Sequence, residues 1–157
     1  MTIAVVHRSR RRLLAAAVLS AVSFATLAQQ DPRTVSRDAN LPALQGYDPV
    51  TYFTSDRPQR GRPDFTAIHA GATYMFVSKE NAALFSADPQ KFAPQFGGHC
   101  AYAASRGYKA PGSPTDYQIV DGKLYLNFNA AVHKQWQEDV RANIDMGHRN
   151  WKVLEGK

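Results

Sequence analysis

Cysteine is almost absent from this sequence: the 157 residues contain only Cys100. A single cysteine excludes an intrachain disulfide, so the folded state must depend on its apolar core. The sequence also lacks Gly-x-Ser-x-Gly, His-Glu-x-x-His, a P-loop and a Cys-x-x-Cys-His haem attachment. A Cys–His nucleophile pair would need a third, orienting group that the sequence does not indicate. We therefore predict that the protein is not an enzyme.

The folded part of the chain also lacks a strong basic charge, although the formal net charge of the whole sequence is +6. Four of the basic residues, Arg8, Arg10, Arg11 and Arg12, lie close to the N-terminus. Without these four, 15 of the 19 Lys and Arg residues stand against 13 Asp and Glu, a net charge of about +2. No basic run with interleaved aromatic residues follows. The sequence predicts no nucleic-acid partner.

The N-terminal region has the pattern of an export signal. The basic cluster precedes an apolar run at 13–27, and Thr26-Leu27-Ala28 offers small residues where a signal peptidase cleaves. The run is shorter than the roughly 20 residues of a membrane-spanning helix. We predict a signal peptide at 1–28, a mature N-terminus at Gln29 and no membrane span after cleavage. The arginine pair also resembles a twin-arginine signal, so the predicted location is the periplasm, reached by the Sec or twin-arginine route.

The remaining chain predicts one domain. Residues 29–45 are polar, contain two prolines and show no clear periodicity, so we predict an extended leader that packs little. No internal repeat is visible in the sequence after this leader. The folded domain is predicted at 46–157.

Local patterns in the first part of this domain predict a β-β-α unit. Segments 65–69 and 73–77 are rich in β-branched and aromatic residues, and the connector between them contains glycine. Ser78 is placed to cap a helix that ends at Asp88-Pro89. A short helical turn is predicted at 90–92.

The second part predicts another hairpin and a C-terminal helix. Asp121-Gly122 between two apolar segments favours a type I′ turn. Asn129 is placed to cap one final helix from Ala130, with an apolar stripe at Val132, Trp136, Val140 and Ile144. The predicted fold class is therefore α+β, a small two-layer domain with a β-β-α core, a second β-hairpin and a C-terminal helix.

Residues 74–92 also resemble a known family. They combine an aromatic strand, Ser78, a helix with Phe85 before Asp88-Pro89, and the Lys91-Phe92 pair. This arrangement is similar to the core of the YHS domain.

The resemblance extends to both sides of that core. Gly-Tyr-Asp-Pro-Val at 46–50 is similar to the opening of the family. Segments 94–102 and 121–127 resemble the longer, exported YHS-type proteins that keep one cysteine. The resemblance covers residues 47–151.

The resemblance implies an association with heavy metals, which YHS modules bind through thiolates. The expected cysteines correspond here to Thr51, Val77 and Asn81. Valine cannot bind a metal ion, and Thr or Asn oxygens suit hard cations better than copper or zinc. The usual thiolate site of the family is therefore absent.

A different metal site remains open to this sequence. Thiolate, imidazole and thioether groups suit soft metals, copper first. We predict a copper site with Cys100 as anchor and His99 and His69 as further ligands, and a metal ion or metal-handling protein as partner. His99 and Cys100 would share an ion only in a bend, which the preceding glycine pair allows. Weaker candidates are His133, His148, Met75 and Met146.

The alternative is a metal-free periplasmic module that binds a ligand or a protein. Cysteine is among the most buried residue types, so Cys100 would then be structural. Aromatic residues with polar tips would form the binding surface. The candidates are Tyr47, Tyr52, Phe53, Tyr102 and Tyr108.

Overall fold

A computed structural model describes residues 41–156. The predicted signal peptide and residues 29–40 of the predicted leader lie outside the described residues. The described part mixes helices with two separate two-stranded antiparallel sheets. The predicted α+β class is confirmed.

The chain alternates short helices with two hairpins. In order, the elements are a 3₁₀ turn (Ala43–Gly46), α1 (Thr51–Thr54), β1 (Arg62–His69), β2 (Ala72–Phe76), α2 (Lys79–Ala87), α3 (Pro89–Phe92), a second 3₁₀ turn (Gln95–Gly98), α4 (Ala101–Ser105), β3 (Ser113–Val120), β4 (Lys123–Asn127), α5 (Ala130–Gln137) and α6 (Val140–Leu154).

Both predicted hairpins are present. Strand β1 pairs with β2 and β3 with β4, each with a register shift inside the hairpin. The second turn has Asp121 at φ 50° and Gly122 at φ 70°, and the first has Ala70 at φ 48° and Gly71 at φ 73°. Two consecutive residues with positive φ define the type I′ turn that suits the twist of paired strands.

The predicted helix caps are also confirmed. The hydroxyl of Ser78 accepts a hydrogen bond from the Asn81 backbone N–H at 3.2 Å, which starts α2. The side-chain oxygen of Asn129 accepts from the Val132 N–H at 2.9 Å, which starts α5. Each oxygen satisfies a donor that the first helical turn leaves unpaired.

The prediction of one continuous C-terminal helix was wrong. Asp139 has φ −150° and ψ 80°, outside the helical region, and its carboxylate accepts from the Ala142 N–H at 3.0 Å. A new helix therefore begins at Val140, because aspartate is a strong N-cap. The apolar stripe drawn through Trp136 and Val140 crosses this break.

The packed region begins earlier than the predicted boundary at residue 46. Ala43 and Leu44 are 3% and 7% exposed and belong to the main core. They lie in the first 3₁₀ turn, where Leu44 and Gln45 adopt φ of 55° and 51°. Residues 43–45 are thus part of the domain and not of an extended leader.

The described chain contains an internal structural repeat that the sequence analysis missed. Residues 43–92 and 95–154 each contain a 3₁₀ turn, a short helix, a hairpin, a helix with a polar cap and a helix capped by aspartate. We refer to these segments as the first and second halves. In the second half, Phe96 and Gly97 repeat the positive φ values of the first turn, at 53° and 57°.

Equivalent backbone hydrogen bonds follow the two turns. The Asp48 N–H donates to the Gln59 carbonyl at 2.8 Å, and the Cys100 N–H donates to the Ala110 carbonyl at 2.9 Å. Asp48 lies three residues before the start of α1 and Cys100 one residue before the start of α4, and each lies two residues after the glycine that ends the 3₁₀ turn of its half. Asp48 and Cys100 therefore occupy equivalent positions in the two halves.

Strand β4 connects the apolar cores of the two halves. Leu124 and Leu126 belong to the core that contains Phe76 and Phe85, whereas Tyr125 belongs to the core around Trp136. Successive side chains of a strand point to opposite faces, so one strand supplies both cores.

Asp48 is fully buried, and its carboxylate is the main polar anchor of the first half. One oxygen accepts from the Val50 N–H at 2.8 Å; the other accepts from the Val77 N–H at 2.9 Å and from Asn81 Nδ2 at 2.7 Å. These bonds connect α1, the end of β2 and α2. Removing the carboxylate would leave three donors without an acceptor.

We predict that Asp48→Ala lowers the free energy of unfolding by roughly 3 kcal/mol or more, because each buried unsatisfied donor costs about 1–3 kcal/mol. Asp48→Asn should also be destabilised, since its amide N–H would face one of these donors. Urea unfolding measures both variants, with the exposed Asp56→Ala as control. A loss below about 1 kcal/mol for Asp48→Ala would contradict the anchoring role.

Candidate functional site

Cys100 lies between the second 3₁₀ turn and α4 and is 1% exposed. Its sulfur accepts from the Ala103 N–H at 3.5 Å, which caps α4. The thiol also lies 3.8 Å from Asn127 Oδ1, to which it can donate. The donor and acceptor capacities of the thiol are both used inside the protein.

The sulfur of Cys100 has the same structural role as an oxygen of Asp48. In the first half, Asp48 Oδ1 accepts from the N–H of Val50 at the start of α1. In the second half, the sulfur accepts from the N–H of Ala103 in α4. Both side chains hold the start of a short helix, and both are closed to solvent.

The ring of His99 contacts the second half of the domain. Nδ1 donates to the Phe96 carbonyl at 3.0 Å, since a carbonyl can only accept. The ring centroid lies 5.3 Å from that of Trp151. Burial lowers the pKa of His99, because desolvation disfavours the charged imidazolium.

His69 ends β1 and packs against the first half. Its ring centroid lies 5.9 Å from that of Phe85 and 6.5 Å from that of Tyr74. Within residues 41–156, no three His, Cys, Asp or Glu side chains form a group that could hold a metal ion. The structure thus places Cys100, His99 and His69 without joining them in such a group.

The other candidate ligands are dispersed over the elements. His133 lies on α5 with its ring centroid 6.2 Å from that of Trp136, and burial lowers its pKa. His148 on α6 has Nε2 3.5 Å from the Tyr125 hydroxyl. Met75 lies on β2 and Met146 on α6.

The residues of the predicted aromatic surface differ in their burial. Tyr52 is buried in the main core, and its hydroxyl donates to the Pro114 carbonyl at 2.8 Å. Phe53 packs edge-on against Phe92, with ring centroids 5.6 Å apart. Tyr108 is 53% exposed. Tyr52 is therefore a core residue, and the aromatic binding surface as a whole stays a prediction.

A cleft of about 370 Å³ opens between the two halves instead. The first half contributes the tip of its hairpin and α3, and the second half contributes its 3₁₀ turn and α6. Side chains with polar or aromatic groups in its lining include His69, Gln90, Gln95, His148, Trp151 and Glu155. Of these, His69 was among the predicted ligands and His148 among the weaker candidates; the other four were not predicted.

The sequence carried a signal for the helical side of this cleft. His148, Trp151 and Glu155 follow one another at spacings of three and four residues, which places His148 and Trp151 on one face of α6 and Glu155 on the same side directly after its end. Their partners from the first half are distant in sequence, so only the fold brings the two sides together.

An aromatic cluster forms one wall of the cleft. The ring centroid of Phe96 lies 5.0 Å from that of His148 and 5.6 Å from that of Trp151. Gly147 allows this contact, because a Cβ at that position would lie 2.7 Å from Phe96 Cζ. Glycine therefore lets α6 approach the 3₁₀ turn closely.

Comparisons with family models, curated proteins and solved structures found no match. The resemblance to the YHS family therefore stays a prediction. Among residues 41–156, no helix is both long and apolar enough to cross a membrane.

The lowered pKa of His99 predicts a pH-dependent stability. The unfolded chain, whose histidines titrate near pH 6.5, takes up the proton first as the pH falls, so the folded state loses stability below that value. His99→Asn retains a donor for the Phe96 carbonyl but cannot titrate. We expect its stability to fall less between about pH 7 and pH 5 than that of the wild type.

Urea unfolding at several pH values measures this difference. His133→Asn is a parallel variant, because burial lowers the pKa of that histidine as well. An identical pH dependence of the unfolding free energy for the wild type and His99→Asn would contradict a lowered pKa of His99 in the folded protein.

Proposed function

We propose that the chain is an exported, metal-free binding module of YHS type in which Cys100 is structural and the cleft between the two halves binds a small ligand. The observation that carries this proposal is the environment of Cys100: the side chain is 1% exposed and its sulfur caps α4. The periplasmic location is inferred from the N-terminal sequence pattern.

A soft-metal function would need a different environment for this sulfur. A cysteine binds metal as an accessible thiolate, whose negative charge is stabilised by nearby cations or by the metal itself. Here Ala103 N–H and Asn127 Oδ1 contact the sulfur. A metal ion could reach it only if the start of α4 were displaced.

The cleft has the general properties of a small-molecule site. Its volume of about 370 Å³ lies in the usual range of roughly 300–1,000 Å³ for such sites. It combines aromatic rings with a few polar side chains and lies at the junction of two structural units. These features support ligand binding at this position.

The test is a Cu(I) titration of the reduced protein, purified after export, against a competing Cu(I) chelator. We expect the chelator to retain the copper in the presence of the wild type, Cys100→Ser and Cys100→Ala alike. Cys100→Ala should lose about 1 kcal/mol of unfolding free energy through loss of the cap, and Cys100→Ser should lose less because serine is a good cap.

Two results would overturn the metal-free function. The first is one equivalent of Cu(I) held by the wild type and released by Cys100→Ser, which would assign copper to the thiol. The second is copper binding that survives Cys100→Ser but is lost in His69→Ala, which would assign it to the cleft.

A further inference from the structure

We propose that the ligand of the cleft is a neutral saccharide of one or two rings. This inference depends on the proposed function, because it names the chemical class that the cleft accepts. Four features of the cleft support it: the size, the aromatic wall, the polar side chains and the charges.

The size of the cleft limits the ligand. A volume of about 370 Å³ is near the lower end of the roughly 300–1,000 Å³ typical of small-molecule sites. The cleft is also partly open to solvent, so the ligand would keep one side exposed. A short saccharide satisfies both conditions.

The aromatic wall offers a fixed apolar surface. Trp151 is half-buried, and its ring centroid lies 5.6 Å from that of Phe96 and 5.3 Å from that of His99. An aromatic side chain held in this way presents apolar area without losing further rotamer freedom on binding. The C–H face of a sugar ring is a flat apolar surface that matches the exposed part of the indole.

The polar side chains opposite this wall have unused hydrogen-bonding capacity. Within residues 41–156, the side chains of His69, Gln90 and Gln95 have no hydrogen-bond partner. A carboxamide offers two N–H donors and an acceptor, and the ring nitrogens of a histidine also form hydrogen bonds. Sugar hydroxyls likewise donate and accept, so they can pair with all three side chains.

The charges around the cleft favour a neutral ligand. Lysine and arginine are absent from its described lining, whereas Glu155 belongs to it, and a carboxylate there disfavours an anionic ligand. The ammonium group of Lys109 lies 5.4 Å from the centroid of the Trp151 ring. A cationic ligand stacked on Trp151 would meet this positive charge.

The experiment is a titration of the exported protein with glucose, N-acetylglucosamine and maltose, followed by intrinsic tryptophan fluorescence and by calorimetry. Glucosamine and glucose 6-phosphate are the cationic and anionic comparison ligands. We expect at least one neutral sugar to give a saturable signal, with a dissociation constant at least tenfold lower than that of either charged sugar.

The variants locate the binding site. Trp151→Ala should weaken binding of the neutral sugar at least tenfold, and the double variant Gln90→Ala, Gln95→Ala should do the same without disturbing the aromatic wall. Gln135→Ala, on the exposed surface of α5, is the matched control and should bind as the wild type does. Urea unfolding of each variant verifies that the fold is retained.

Two outcomes would overturn the saccharide inference. One is the absence of saturable binding for all three neutral sugars; the other is tighter binding of a charged sugar. Neither outcome depends on copper, so the titration with Cu(I) separates failure of this inference from failure of the metal-free function.

Discussion

Each half of the domain is organised around one buried side chain that accepts a backbone hydrogen bond at the start of a short helix. In the first half this side chain is Asp48, whose carboxylate also receives donors from Val77 and Asn81. In the second half it is Cys100, whose sulfur caps α4 and contacts Asn127. Because buried donors are costly when unpaired, these acceptors fix how each helix sits on its hairpin.

The position of the cleft follows from how the two halves are joined. Strand β4 supplies Leu124 to one core and Tyr125 to the other, so the halves share a strand while keeping separate apolar clusters. The tip of the first hairpin and α6 face each other across the cleft. A cleft remains where these two surfaces meet, with His69 on one side and Trp151 on the other.

The features of the fold that depend on neighbouring residues were predictable from the sequence. The caps at Ser78 and Asn129 and the turn at Asp121-Gly122 depend on residues that are neighbours in the chain. The helix break at Asp139 was missed because the apolar residues on both sides of it continue at the four-residue spacing of one helix. The repeat was missed because the two halves share backbone conformations and hydrogen bonds but not residue types. Asp48 and Cys100, for example, are equivalent in the structure and unrelated in sequence. The surroundings of Cys100 and of the cleft depend on contacts between distant residues, which local patterns do not contain.

The central claim is that Cys100 holds the fold and is not presented to a ligand. Its most direct test is the rate at which an excess of a thiol reagent modifies the reduced protein at increasing urea concentration. If Cys100 is structural, modification follows global unfolding, with the same urea dependence as the unfolding free energy. Rapid modification of the folded protein without urea would contradict it.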